Sequence, residues 1–126
     1  SLMRRLAGLG NVVLVGRGAN LATAGTPHGV HLRLIAPPEQ RAQRTAGILG
    51  LSLDEAFAFN RKADRARRDY VRSFFNADID DPFAYDLVLN MAHFTTERAA
   101  DLVVSLLQSR GEIELVPPAV ASLAGV

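Results

Sequence analysis

Residues Asn11-Val12-Val13-Leu14-Val15-Gly16 form a short apolar run, rich in β-branched side chains, that leads into Gly16-Arg17-Gly18-Ala19-Asn20. A strand with one wet face alternates apolar and polar residues. A run that is apolar at every position suits a strand covered on both faces, as in a parallel sheet. His31-Leu32-Arg33-Leu34-Ile35-Ala36 reads as a second strand, stopped by Pro37-Pro38, and Tyr85-Asp86-Leu87-Val88-Leu89-Asn90 reads as a third. Helices fill the intervals. Pro38 suits a first helical turn, where its missing N–H would find no partner anyway; that helix runs to about Leu49 and ends at Gly50. Ser52-Leu53-Asp54-Glu55 is a capping box that opens a helix free of Gly and Pro as far as about Phe75. Thr95 caps a last helix through about Ser109, stopped by Gly111, with Ala99, Leu102, Val103, Leu106 and Leu107 on one face. Strands alternating with helices predict an α/β layered domain with parallel strands. Ligands bind beyond the carboxyl ends of such strands, which directs attention to the loops after Gly16, Ala36 and Asn90.

The 126 residues fit one domain, read as a core over 11–110 and a tail over 111–126 with a further strand at Ile113–Val116. With 48% apolar and 21% charged residues the composition is that of a folded globular chain. No apolar run approaches the roughly 18 residues of a membrane span, so no membrane association is expected. Met3-Arg4-Arg5 has the start of a signal peptide, but Gly8, Gly10 and Asn11 dilute the apolar stretch and Arg17 ends it; a cytoplasmic location is expected. The absence of cysteine excludes a disulfide scaffold, a thiolate zinc site and a cysteine nucleophile. His28, in a turn, and His31 and His93 lack a zinc-ligand spacing. Asp78, Asp80, Asp81 and Asp86 lack the pattern of a calcium loop and read as solvated, so no metal site is expected. No G-x-S-x-G motif supports hydrolysis.

The basic residues are unevenly chosen: thirteen of fourteen are Arg, and Lys62 is the only lysine. Lys62 has no glycine nearby, so these residues hold no G-x-x-x-x-G-K-[ST] loop. On a helical wheel Ala56, Phe59, Ala63, Ala66, Tyr70 and Phe74 share one face, while Arg61, Arg65, Arg68 and Arg72 form a ridge opposite. Residues 61–72 carry six basic and two acidic side chains. Two readings of this ridge stand side by side. It is a solvated face partly compensated by Asp64 and Asp69, or it is an anion site, because the planar guanidinium fork matches phosphate oxygens. Asp64, one turn before Arg67 and Arg68, can orient a guanidinium group or accept a sugar hydroxyl.

Several segments, in order, resemble the cytidylate kinase-like family, a branch of the P-loop nucleoside monophosphate kinases. Val12–Asn20 resembles that family's strand and turn, and Ala36–Arg44 its next strand end and helix start. Asp64-Arg65-Ala66-Arg67-Arg68-Asp69-Tyr70 is similar to its arginine-rich lid, and Tyr85–Asn90 followed by Thr95–Ala99 to its last core strand and helix. The resemblance spans about residues 11–109. It implies a partial P-loop-kinase-like α/β layer: a short, mostly parallel sheet, flanking helices and a long Arg-rich lid helix. It further implies phosphoryl transfer from ATP, with magnesium, to a pyrimidine nucleoside monophosphate such as CMP. Arg17, Arg41, Asp64 and Arg67 would bind nucleotide, with Arg17 near the acceptor and Arg41 toward ATP. Arg61, Arg65 and Arg67 would carry catalysis by neutralising the transferring phosphoryl group.

Related cytidylate kinases commonly place Asp after Arg17, where Gly18 stands here, although Gly18-Ala19-Asn20 looks normal for the cytidylate kinase-like branch. The sequence also opens at what would be the third core strand, without the phosphate loop and its lysine. This chain is therefore expected to be the carboxyl-terminal two-thirds of such a domain and inactive by itself. The alternative is a non-catalytic nucleotide- or anion-binding or oligomerisation module. A homo-oligomer is expected, because a missing central strand leaves open sheet edges. With a net charge of only +1, nucleic acid is not an expected partner.

Overall fold

The computed structural model describes residues 2–26, 29–110 and 119–122. The element order is α1 (Leu2–Leu9), β1 (Val12–Val15), α2 (Ala19–Ala22), β2 (Leu32–Ile35), α3 (Pro38–Leu49), α4 (Leu53–Phe75), a 3-10 turn (Pro82–Ala84), β3 (Leu87–Asn90), α5 (Thr96–Ser109) and β4 (Ala119–Ser122). The three expected strands form, each with narrower bounds. The three long helices start and stop where their caps predict. The tail strand expected at Ile113–Val116 and the turn assigned to His28 lie outside the described residues.

The helix boundaries follow from local chemistry. Glu55 N–H donates to Ser52 Oγ at 3.1 Å and Ser52 N–H donates to Glu55 Oε1 at 3.0 Å, so the capping box closes in both directions. Gly50 and Asn76 end α3 and α4 in the left-handed conformation, at φ 67° and 48°. Arg98 N–H donates to Thr95 Oγ1 at the start of α5.

Helices α3 and α4 form an antiparallel hairpin with small residues at its seam. Ala42 and Ala56 are both fully buried, which lets the backbones approach closely. Thr45 Oγ1 donates to Asn60 Oδ1 at 2.8 Å one turn further along, and Arg41 Nη2 reaches Asp64 Oδ1 a turn beyond that. With 12 and 23 residues, the helices are about 18 and 35 Å long, so α3 covers only the first half of α4. This corrects the expected apolar face of α4. Ala56 and Val71 are buried, but Phe59 and Phe74 are 51% and 70% exposed.

The expected single sheet is instead two parallel two-stranded sheets, β1 with β4 and β2 with β3. The register pairs Val12 with Ala119 and Leu32 with Leu87. The expectation that β1 is covered on both faces also fails. Val13 and Val15, which share a face, are each 43% exposed. A two-stranded ribbon with only one further described strand beside β1 has nothing to lay over that face. Likewise Leu102 on α5 is exposed while Ala99 is buried. No helix among the described residues is long and apolar enough to cross a membrane.

The link from β1 to α2 turns through Gly16, Arg17 and Gly18, all at positive φ (86°, 54° and 66°). A Cβ on Gly18 would lie 2.5 Å from the Phe75 ring, so both backbone and packing demand glycine there. Gly47, inside α3, has open space where a Cβ would sit. Gly18→Ala is therefore expected to destabilise the fold by more than about 1 kcal/mol, whereas Gly47→Ala stabilises it by up to about 1 kcal/mol. Thermal denaturation of the two variants checks the opposite signs.

Candidate functional site

Asp64 stands on the α4 face that meets α3, and two guanidinium groups converge on its Oδ1. Arg41, in the first turns of α3 just past the carboxyl end of β2, donates from Nη2 at 2.7 Å. Arg67, one turn along α4, donates to the same oxygen. Burial by itself pushes the Asp64 carboxyl up, but the hydrogen bonds and charges of Arg41 and Arg67 outweigh it and hold the group below its ordinary range. The bond to Asp64 likewise holds Arg41 more firmly protonated. Two cations share one carboxylate, so the cluster keeps an excess positive charge at its half-exposed rim. That is an arrangement suited to an anion with several oxygens.

Arg17, in the turn between β1 and α2, lies beside a later stretch of α4. Its guanidinium sits 5.1 Å from the centre of the Tyr70 ring. Tyr70 is six residues, or about 9 Å of helix, beyond Asp64. Tyr70 also lines an open cleft of about 490 Å³ with Met3, Arg4, Leu21, Phe74 and Phe75. A cationic cluster and a mainly apolar cleft thus occupy neighbouring stretches of α4, with Arg17 near the join. Arg4 Nε donates to Ala22 O and ties α1 to α2 at the cleft.

Of the expected site residues, the structure brings Arg41, Asp64 and Arg67 together and sets Arg17 beside Tyr70. Arg61 and Arg65 are exposed, and no hydrogen bond or ion pair joins them to the cluster among the described residues. On the ridge only Arg68 is paired, with Asp80 Oδ2 at 3.5 Å. Asp80 chiefly holds Arg33, at 2.7 Å, and Arg33 in turn lies 5.8 Å from the Tyr85 ring centre. The other aspartates expected to be simply solvated have backbone partners. Asp78 and Asp81 accept from the N–H groups of Asp80 and Phe83, and Asp86 accepts from His31 N–H at 2.7 Å. Among the described residues no group of three or more His, Asp or Glu side chains is placed to hold a metal ion, and Asp64 Oδ1 is taken by arginines. Sequence reasoning missed Tyr70 as a partner of Arg17, placing it on an apolar face and at the end of the lid-like segment. The two lie 53 positions apart, and no local pattern signals their contact.

The family described as cytidylate kinase-like matches residues 1–93, most of the described chain and all of the site. The chain belongs to the cytidylate kinase-like family. The match includes α1, which lies ahead of the resembling segments, and stops short of α5. Among individual relatives, a cytidylate kinase of Thermococcus kodakarensis is 33% identical over 84 residues, 67% of this chain and 42% of that protein. A cytidylate kinase of Sulfolobus acidocaldarius is 31% identical over 81 residues, 64% of this chain and 43% of that protein. A uronate isomerase of Corynebacterium glutamicum is 33% identical over 94 residues, 73% of this chain but 18% of that protein. This cytidylate kinase-like chain thus spans less than half the length of each of these relatives.

The ion pairs fix a pH dependence. Asp64, like Asp80 and Asp86, has a folded-state pKa below its unfolded value of about 3.9. The stability each adds is complete above that value and is lost as pH falls through the lower, folded one. Denaturant midpoints should hold steady above about pH 5 and decline below about pH 4. The decline should be shallower in Asp64→Asn. An identical acid limb in the variant would show that the Asp64 pairs do not contribute.

Proposed function

We propose that this chain is a nucleotide-phosphate-binding part of a cytidylate kinase-like phosphotransferase, taking CMP or ATP and performing no phosphoryl transfer by itself. The observation that carries the reading is the convergence of Arg41 and Arg67 on one Asp64 oxygen across two helices, within the stretch that the family matches. In the proposed complex the two guanidinium forks turn toward phosphate oxygens while Asp64 keeps them oriented. Arg17 approaches the acceptor nucleotide from the β1 turn, and the cleft beside Tyr70 offers apolar surface to a base. Arg61 and Arg65, exposed and without ion-pair partners among the described residues, supply further positive field for a transferring phosphoryl group.

The non-catalytic part of the reading rests on composition. Phosphoryl transfer depends on cradling the β- and γ-phosphates, and the single lysine, Lys62, lies inside α4 rather than in a glycine-rich loop. We place this binding role in the cytoplasm, with the nucleotide pools.

Titration calorimetry with CMP, UMP, ATP and sulfate tests the reading. Saturable binding of CMP or ATP is expected, weakened about tenfold or more by Arg67→Ala, as loss of one charged hydrogen-bonding group implies. Absence of binding to any nucleotide contradicts the site. Steady phosphorylation of CMP by this chain alone contradicts the non-catalytic assignment.

A further inference from the structure

An arginine side chain has several rotatable bonds, and ordering it costs binding free energy unless something holds it beforehand. Asp64 does this for Arg41 and Arg67. Arg17 has a different support. Its guanidinium group lies over the Tyr70 ring, 5.1 Å from the ring centre. An aromatic ring attracts a guanidinium group through its face and takes none of the in-plane N–H donors, whereas a carboxylate takes them. A support of that kind orients a cation without competing with an oxyanion for its hydrogen bonds.

The surroundings hold both partners of this contact. Arg17 stands at φ 54°, in the left-handed region, between Gly16 at 86° and Gly18 at 66°. That conformation is uncommon for a residue with a side chain, and it persists where neighbours over-determine it. Here the Phe75 ring closes on Gly18 so tightly that a Cβ would not fit. Tyr70 is held in turn. The Phe74 ring centre lies 4.5 Å from its own, and Phe75 meets it edge-on at 6.4 Å. The last turns of α4 thus grip two consecutive residues of the β1–α2 turn, Arg17 through Tyr70 and Gly18 through Phe75. Spacing along α4 ties this grip to the cationic cluster. Asp64, Arg67 and Tyr70 follow one another at steps of three. Each step is about 4.5 Å of rise and about 60° of rotation, so the three form one row of neighbours. That row supports all three arginines expected to bind nucleotide: Arg41 and Arg67 from Asp64, and Arg17 from Tyr70.

We propose that Tyr70 is a positioning residue for the acceptor nucleotide, its ring face holding the Arg17 guanidinium group in place, a role that rests on the nucleotide-binding function proposed above. Tyr70 acts through Arg17 and not through the base. Its contribution to affinity therefore exists only while Arg17 is present, and it needs the ring but not the hydroxyl.

Calorimetric titration of the chain and its variants with CMP tests this as a double-mutant cycle. Tyr70→Leu, which removes the ring, is expected to raise the CMP dissociation constant about threefold to thirtyfold. Tyr70→Phe, which keeps the ring, is expected to recover most of that loss. In an Arg17→Ala background Tyr70→Leu is expected to cost nothing further. Phe59→Leu, at another α4 ring that is 51% exposed, is expected to leave the constant unchanged. A second measurement needs no variant to fold: nuclear Overhauser contacts between the Arg17 side chain and the Tyr70 ring are expected in the unsubstituted chain both with and without CMP. An unchanged constant in Tyr70→Leu, equal losses with and without Arg17, or disappearance of the Arg17–Tyr70 contacts in the CMP complex overturns the positioning role while leaving the nucleotide site standing. Failure of the unsubstituted chain to bind CMP overturns the acceptor site, and the role of Tyr70 with it.

Discussion

One carboxylate oxygen, Asp64 Oδ1, receives guanidinium groups from two helices, and the geometry of the hairpin serves that meeting. Ala42 and Ala56 let α3 and α4 approach, the Thr45–Asn60 hydrogen bond sets their register, and Arg41 arrives opposite Asp64 a turn later. Without Asp64, Arg41 and Arg67 would repel each other across the seam. With it, they are held close while retaining an excess charge. The same contact thus supports the packing of the longest helix and forms the most concentrated cationic feature with a defined geometry.

The rest of the molecule is much less well covered. Helix α4 outruns α3 by about half its length; beyond α3, Phe74 is largely exposed, and Tyr70 meets Arg17 and lines a cleft with Met3 and Arg4 of α1. The strands are apolar enough for a buried parallel sheet but are paired two by two. An apolar strand is stabilised by what lies on its faces, and here those faces are only partly occupied.

Much of this was legible in the sequence where the determining chemistry is local. The Ser52–Glu55 box, Gly50, Thr95 and the Pro37-Pro38 stop fix helix and strand ends within a few residues, and the observed ends agree. Asp64 and Arg67, one turn apart on a helix, were legible for the same reason. The contact of Arg41 with Asp64 joins residues 23 positions apart and was visible only as a shared resemblance to nucleotide-binding segments. The exposure of β1, the separation into two sheets and the pairing of β1 with β4 depend on which surfaces come together across the whole chain, and an apolar run carries no record of that. The arginine ridge was equally ambiguous. Its composition fits a solvated face or an anion site, and composition alone does not show that Arg41 and Arg67, which lie off the ridge, are the arginines gathered round Asp64.

The central claim is that Arg41 and Arg67, rather than the exposed ridge, receive the phosphate. Side-chain NMR of the arginine Nε–H groups during a CMP or ATP titration tests it most directly. The account predicts that the Arg41 and Arg67 resonances move together along one saturable curve, while Arg61, Arg65 and Arg72 move little. Uniform, unsaturable movement of the ridge arginines with Arg41 and Arg67 unchanged would contradict it.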